Sequence, residues 1–161
     1  MQRVYEILKL PCPDTLREEI WQMRLTMQRD CQPENLKRGP GGTVDIEFAV
    51  QMLQLQHAKE HPEVIQPGTI KALDALCRLG LLDAESANFF WGRYQFLRRI
   101  ESGLRLMNTT ARHDLPTDAK QLERLAFLLN ESDGQSLKQR VEQTRLDVRA
   151  KVLQLFSGEA L

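Results

Sequence analysis

Apolar residues recur along this chain at three- and four-residue spacing, and short clusters of Gly, Pro, Asp and Ser interrupt them, a rhythm that predicts helices from end to end. Val4, Ile7 and Leu8 make the first stretch amphipathic before Pro11-Cys12-Pro13 stops it. Asp14 is placed to cap a second helix reaching about Asp30, with Leu16, Ile20, Met23 and Met27 on one face. Cys31 to Gly42, with two prolines and three glycines, must be a loop. A helix capped by Thr43 or Asp45 follows, carries Ile46, Val50 and Leu53, and ends at His61-Pro62. Thr69 opens a short helix closed by Arg78 and Gly80. Asp83 caps the longest segment, Ala84 to about Thr110, whose apolar residues from Phe89 to Met107 cover more than one face and predict a central position. Asp118-x-x-Gln121 and Ser132-x-x-Gln135 read as capping boxes for the last two helices, the final one carrying Leu137, Val141, Val148, Val152 and Leu155. No strand is expected. Long helices joined by mostly short loops, with no internal repeat, predict an all-α antiparallel up-and-down bundle of four or more helices. Residues 1–13 read as an N-terminal helix or the remnant of an upstream segment, 14–157 as the bundle domain, and 158–161 as a frayed C-terminus.

Composition agrees. Leu occurs 25 times against 13 for Val and Ile together, which suits helices better than strands. At 161 residues the chain is the size of one domain and can bury a core without staples. Lys+Arg and Asp+Glu both number 22, so a nucleic-acid partner held by bulk charge is not expected, and any charged function must be local. Apolar runs are too short for a membrane span or a secretory signal, and Cys12, Cys31 and Cys77 form no C-x-x-C pair, which together point to a cytoplasmic protein with reduced thiols.

Enzyme signatures are sparse. There is no phosphate-binding G-x-x-x-x-G-K-[ST] and no G-x-G-x-x-G. His57-Ala58-Lys59-Glu60-His61 matches an H-x-x-E-H zinc pattern, but Pro62 puts the pair on a last helical turn, where histidines are favoured anyway; no metal site is expected. His113 sits in a loop after Arg112, without the arginine spacing of a small-bundle ribonuclease. The informative stretch runs from Leu36 to Phe48. Its glycines Gly39, Gly41 and Gly42 permit unusual backbone, their amides can line a concave anion site, and a helix N-terminus follows with Lys37 and Arg38 just upstream. This is a candidate phosphate-contacting loop, with Asp45 and Glu47 as carboxylates that orient a cation, hold the loop or merely suit a first turn. On the helix that follows, Glu47, Gln51 and Gln54 form a polar stripe. On the long helix Arg98, Glu101 and Arg105 are spaced as a charge ladder, whatever the function.

Gly41-Gly42-Thr43-Val44-Asp45-Ile46-Glu47-Phe48-Ala49-Val50-Gln51 resembles the G-G-x-x-D-I-E-F-x-x-Q signature of glutamine synthetase adenylyltransferases. Ile20-Trp21-Gln22-Met23-Arg24, Leu81-Leu82-Asp83 and Tyr94-Gln95-Phe96-Leu97-Arg98-Arg99-Ile100-Glu101 resemble flanking segments, and the likeness covers about Thr15 to Pro116. The resemblance implies the helical domain that follows a nucleotidyltransferase domain, and Asp45 resembles the C-terminal, adenylylating half. It implies transfer of AMP from ATP to a tyrosine of glutamine synthetase and phosphorolytic removal of that AMP, with ATP and magnesium as cofactors of the full-length enzyme. The implied partners are the upstream transferase domain, glutamine synthetase and the PII signal protein. The metal-binding aspartates of such a transferase domain have no counterpart here, so the chain alone is expected to be inactive and to hold neither cofactor tightly. Lys37, Arg38, Gly39, Gly41, Gly42, Asp45 and Glu47 are the candidates for contacting or positioning nucleotide, and Gln51, Arg98 and Glu101 are secondary. The alternative is a non-catalytic regulatory or protein-binding bundle, for example of a PII uridylyltransferase-like protein.

Overall fold

Three aspartates set where helices begin. In the computed structural model, which describes residue 13 and residues 15–108 and 113–158, the side chains of Asp83, Asp118 and Asp133 each accept a hydrogen bond from the amide three residues on. They open α4 (Ala84–Met107), α5 (Ala119–Leu128) and α6 (Gly134–Ser157). Ahead of these lie α1 (Leu16–Arg29), α2 (Thr43–His57), a 3₁₀ turn at Pro62–Val64 and α3 (Thr69–Arg78). Among the described residues there is no strand; the only extended pairing is one antiparallel bridge between Asn35 and Asp114. The all-α class is therefore as expected. The long helix ends at Met107, short of the expected Thr110, where Asn108 turns extended. The expected helix within 1–13 up to Cys12, the Asp14 cap and all of the expected 158–161 tail after Gly158 lie outside the described residues.

The last helix is capped by Asp133 and not by Ser132, whose hydroxyl instead bonds the Asp133 carboxylate. The backbone amide and hydroxyl of Ser136 both donate to Asp133, which holds its carboxyl below the ordinary range. Asp133→Ala should therefore lower the melting temperature by a few degrees, whereas Ser132→Ala should leave it unchanged within error in a thermal melt followed by circular dichroism.

Helices α4 and α6, at 24 residues each, run through two apolar clusters and join them. Phe90 and Leu97 of α4 meet Val148, Val152 and Leu155 of α6 in a cluster with α2 and α3; Ile100 and Leu104 meet Leu137 and Val141 in a second cluster with α5. Each of these leucines, fully buried, contributes on the order of 1.5–3 kcal/mol. Leu36 and Leu115, both from loops, close the second cluster and so tie the glycine-rich segment to the core. Gln54 departs from the expected polar stripe: it is buried, and its amide donates to the carbonyls of Val64 (2.8 Å) and Gln66 (3.1 Å), which pins the 3₁₀ turn to α2.

The register of α1 also differs from the pattern. Met23, assigned to the apolar face, is 61% exposed, while its neighbour Arg24 is completely buried. The expected stripe thus turns by one residue, and the cause lies in what Arg24 meets.

Candidate functional site

Arg24 meets Asp45. Both are fully buried, and Arg24 Nε is in ion-pair contact with Asp45 Oδ1. The other carboxylate oxygen accepts from the Gly41 amide (2.7 Å) and from Arg149 Nη1 of α6 (3.1 Å). Arg145, one turn earlier on α6, donates from Nε to the Pro40 carbonyl (3.1 Å) and from Nη2 to the Pro33 carbonyl. Arg24 Nη2 in turn bonds the carbonyls of Arg38 (2.9 Å) and Gly39 (3.0 Å). Burial pushes the Arg24 and Arg145 guanidiniums down from their ordinary values, and Asp45 acts in the opposite direction on both. Two guanidiniums, of Arg24 and Arg149, hold the Asp45 carboxylate while a third, of Arg145, holds the loop carbonyls, and together they clamp the loop between α1 and α6, with Arg149 also stacked over the Trp21 ring at 4.5 Å.

The backbone of the loop is satisfied from within. Asn35 Oδ1 accepts the amides of Lys37 (3.1 Å) and Arg38 (2.8 Å); the Gly39 amide goes to the Asn35 carbonyl, that of Gly42 to Gly39, and that of Gly41 to Asp45. These amides are therefore committed inside the protein and do not form the open anion cradle that the glycines suggest. What the glycines supply is closeness. Gly41 has φ +70°, and a Cβ there would overlap the Arg145 backbone of α6.

A second set of contacts lines the joint of α2 and α4. Thr43 Oγ1 donates to Glu101 Oε1 (3.0 Å), and Arg98 Nη1 donates to Glu101 Oε2 (2.8 Å). Glu101 is buried, so the ladder closes from Arg98 to Thr43, and Arg105 on the following turn makes no ion pair among the described residues. The Tyr94 hydroxyl donates to Glu47 Oε1 at 2.9 Å. Burial raises the Tyr94 phenol above its ordinary value, with Thr69 opposing and Glu47 reinforcing the shift. Glu47 is half-buried, Gln51 is exposed and Arg98 is partly exposed at the edge of this seam.

The candidate residues therefore divide. Gly39, Gly41, Gly42 and Asp45 are buried structural parts of the clamp. Arg38 is exposed and Lys37 half-buried, and neither side chain has a hydrogen bond or ion pair among the described residues. Glu47, Gln51, Arg98 and Glu101 belong to the α2–α4 seam. Sequence reasoning missed Arg24, Arg145 and Arg149. A signal existed for the first: an arginine four residues after Ile20, at a core-facing register, calls for a buried carboxylate elsewhere. Arg145 and Arg149 flank the Val141–Val148–Val152 stripe one helical turn apart, and nothing in the chain order pairs them with a loop a hundred residues upstream.

The residues fit a magnesium ion poorly. Both oxygens of Asp45 are taken by arginine and amide donors, and the described residues contain no group of three or more His, Cys, Asp and Glu placed to hold a metal. His57 and His61 form no such group either; burial, with His61 adding to it, lowers the His57 pKa. Cys31 and Cys77 are free thiols. No helix among the described residues is long and apolar enough to cross a membrane.

Residues 17–157 match the family model described as GlnD PII-uridylyltransferase. The chain is 31% identical over 144 residues, 89% of its length, to a bifunctional glutamine synthetase adenylyltransferase/adenylyl-removing enzyme from Xanthomonas campestris pv. campestris. Proteins of the same name from Stenotrophomonas maltophilia and Rhodopseudomonas palustris are 35% and 36% identical over 78% of the chain. The chain spans 13–15% of the length of these relatives.

Proposed function

This chain belongs to the helical-domain family of the glutamine synthetase adenylyltransferases and PII-uridylyltransferases, and from that premise we propose that it positions nucleotide for an adenylyltransferase rather than carrying out the chemistry itself. The clamped loop supports this reading best. A buried ion cluster, expensive to assemble, holds Lys37 and Arg38 in one place while leaving their side chains uncommitted. Such an arrangement suits cations that must meet phosphate oxygens in a set position. In this reading a nucleotidyltransferase domain supplies the carboxylates that bind ATP-bound magnesium, and packs on the α2–α4 seam at Glu47, Gln51, Tyr94 and Arg98. The AMP acceptor is a tyrosine of glutamine synthetase, and the cytoplasm is the compartment. Metal-assisted stabilisation of the attacking and leaving oxygens then comes from that other domain, and the bundle contributes orientation.

The test is a chimera in which this chain replaces the matched segment of the Stenotrophomonas maltophilia relative. The chimera should transfer AMP to glutamine synthetase, and Lys37→Ala with Arg38→Ala should lower kcat/KM by about tenfold or more with no change in melting temperature. Unaltered kcat/KM in the double variant would reduce the loop to a structural turn. The PII-uridylyltransferase name of the matching family model favours a second reading, in which the same surface meets the PII signal protein. That reading requires PII to bind this chain alone, which a pull-down with purified PII measures directly.

A further inference from the structure

Helix α5 carries more apolar side chains than its core-facing side can hold. Leu122, Leu125, Ala126 and Leu129 fill the second cluster, and Phe127 and Leu128 are left outside it, 88% and 44% exposed. Together with Leu106, 75% exposed, and Met107 at the end of α4, they line a groove of about 490 Å³ edged by Glu123 and Arg124. Beside the groove opens a second cavity of about 350 Å³, lined by Asn108, next to Met107 on the chain, and by Gln121, one turn before Arg124 on α5. We propose that the two together form a docking surface for a protein segment that presents apolar side chains next to a lysine or arginine. This surface includes no residue of the α2–α4 seam and neither Lys37 nor Arg38, so it does not rest on the nucleotide-positioning reading.

Single exposed leucines are ordinary on a protein surface, but apolar side chains gathered around one concavity, with a phenylalanine at its edge, mark a contact. Leu106, Phe127 and Leu128 belong to neither apolar cluster, so they stay in water until a partner covers them, and an aromatic ring beside a pocket is the kind of group that anchors an interface. The second cavity selects the partner by charge. Its wall carries Glu34, Asp114 and Asp118, and no Lys, Arg or His among the described residues. Asp118 accepts the Gln121 amide and Asp114 accepts from Asn35 Nδ2, neutral donors that leave both charges in place. Asp114 also borders the cavity of Lys37 and Arg38, and Glu34 acts on Arg145, whose Nε and Nη2 are taken by the Pro40 and Pro33 carbonyls. Glu34 and Asp118 therefore have no ion-pair partner among the described residues. The carboxylates are not grouped to hold a metal ion. A long cationic side chain fits them better, because its N–H groups can reach separate oxygens, whereas an acidic segment is repelled.

The experiment titrates this chain into a fluorescently labelled peptide, acetyl-LLRALLRALLRA-amide, and into its counterpart with glutamate for every arginine, and follows anisotropy. The arginine peptide should bind saturably, and the glutamate peptide about tenfold more weakly or not at all. Phe127→Ser and Leu106→Ser should each weaken binding of the arginine peptide about tenfold, and Glu34→Gln about threefold. Leu146→Ser on α6, 66% exposed and lining neither cavity, is the control and should change nothing. The altered side chains are all exposed, so melting curves should match that of the unaltered chain. If the arginine peptide does not saturate, if the two peptides bind alike, or if the substitutions at Phe127, Leu106 and Glu34 leave binding unchanged, the proposal is overturned. Sedimentation velocity at the same concentrations covers the other occupant: a dimer that Phe127→Ser dissolves gives the groove to a second copy of the chain and overturns the proposal too. No nucleotide transfer enters the assay, so its outcome and that of the chimera are independent.

Discussion

Asp45→Asn should destabilise the protein by about 3–5 kcal/mol, the cost of leaving buried cations without their counter-charge. The substitution keeps the shape of the side chain and removes only the charge, so cavity formation cannot account for the loss. Arg24, completely buried, would face a neutral amide, and Arg149 would lose the partner it reaches at 3.1 Å. At this chain length the loss corresponds to a fall in melting temperature of roughly 6–20 °C. Urea unfolding followed by circular dichroism measures it, and a change below about 1 kcal/mol would mean that the cluster contributes little net stability. Arg149 is 20% exposed on its side chain, so Arg149→Met should cost less than Asp45→Asn; solvent already shares in its solvation.

Gly41→Ala should cost more than Gly80→Ala although both glycines have almost the same backbone, φ +70° and +69°. At Gly80 an added Cβ meets open space, and the substitution pays only the left-handed penalty of about 1–2 kcal/mol. At Gly41 the same Cβ would overlap the backbone of Arg145, and backbone on both sides cannot yield as a side-chain tip can. The loop must then part from α6, which breaks the Arg145 bonds to Pro33 and Pro40 and the Gly41 amide bond to Asp45. The expected loss is about twice that of Gly80→Ala or more. Equal losses in the two variants, measured by the same unfolding titration, would show that the loop is loosely seated.

The candidate site was partly legible in the chain. The glycines, the two cations and the carboxylates of the 37–47 segment stood out because each residue type has a local reason to be there. Their division of labour did not. Asp45 and Glu47 look alike in sequence, two carboxylates in a first turn, yet one is buried against arginines of two other helices and the other accepts from Tyr94 at the seam. Gln54 read as polar surface and is a buried staple. His113 offered no motif, and it lies beside the loop because the Asn35–Asp114 bridge and the bond from the Leu36 amide to its carbonyl bring it there.

By itself the sequence determined the helices, because breaker residues, apolar spacing and the capping aspartates Asp83 and Asp118 act within a few residues and carry their own energy. The start of α2 departs from this: Gly42 precedes it, and neither Thr43 nor Asp45 caps it as expected, because Thr43 turns to Glu101 and Asp45 to the arginines. Local spacing also determined the core stripe of α6 and the central place of α4, and through its signature the sequence determined the family. Only the tertiary structure decided the partners of the charged residues. An arginine becomes a clamp when a carboxylate is buried within reach of it, and reach across 104 positions of chain is set by how α1, α2 and α6 pack. Desolvation then makes the pairing strong, since a charge removed from water must find its complement nearby or stay outside.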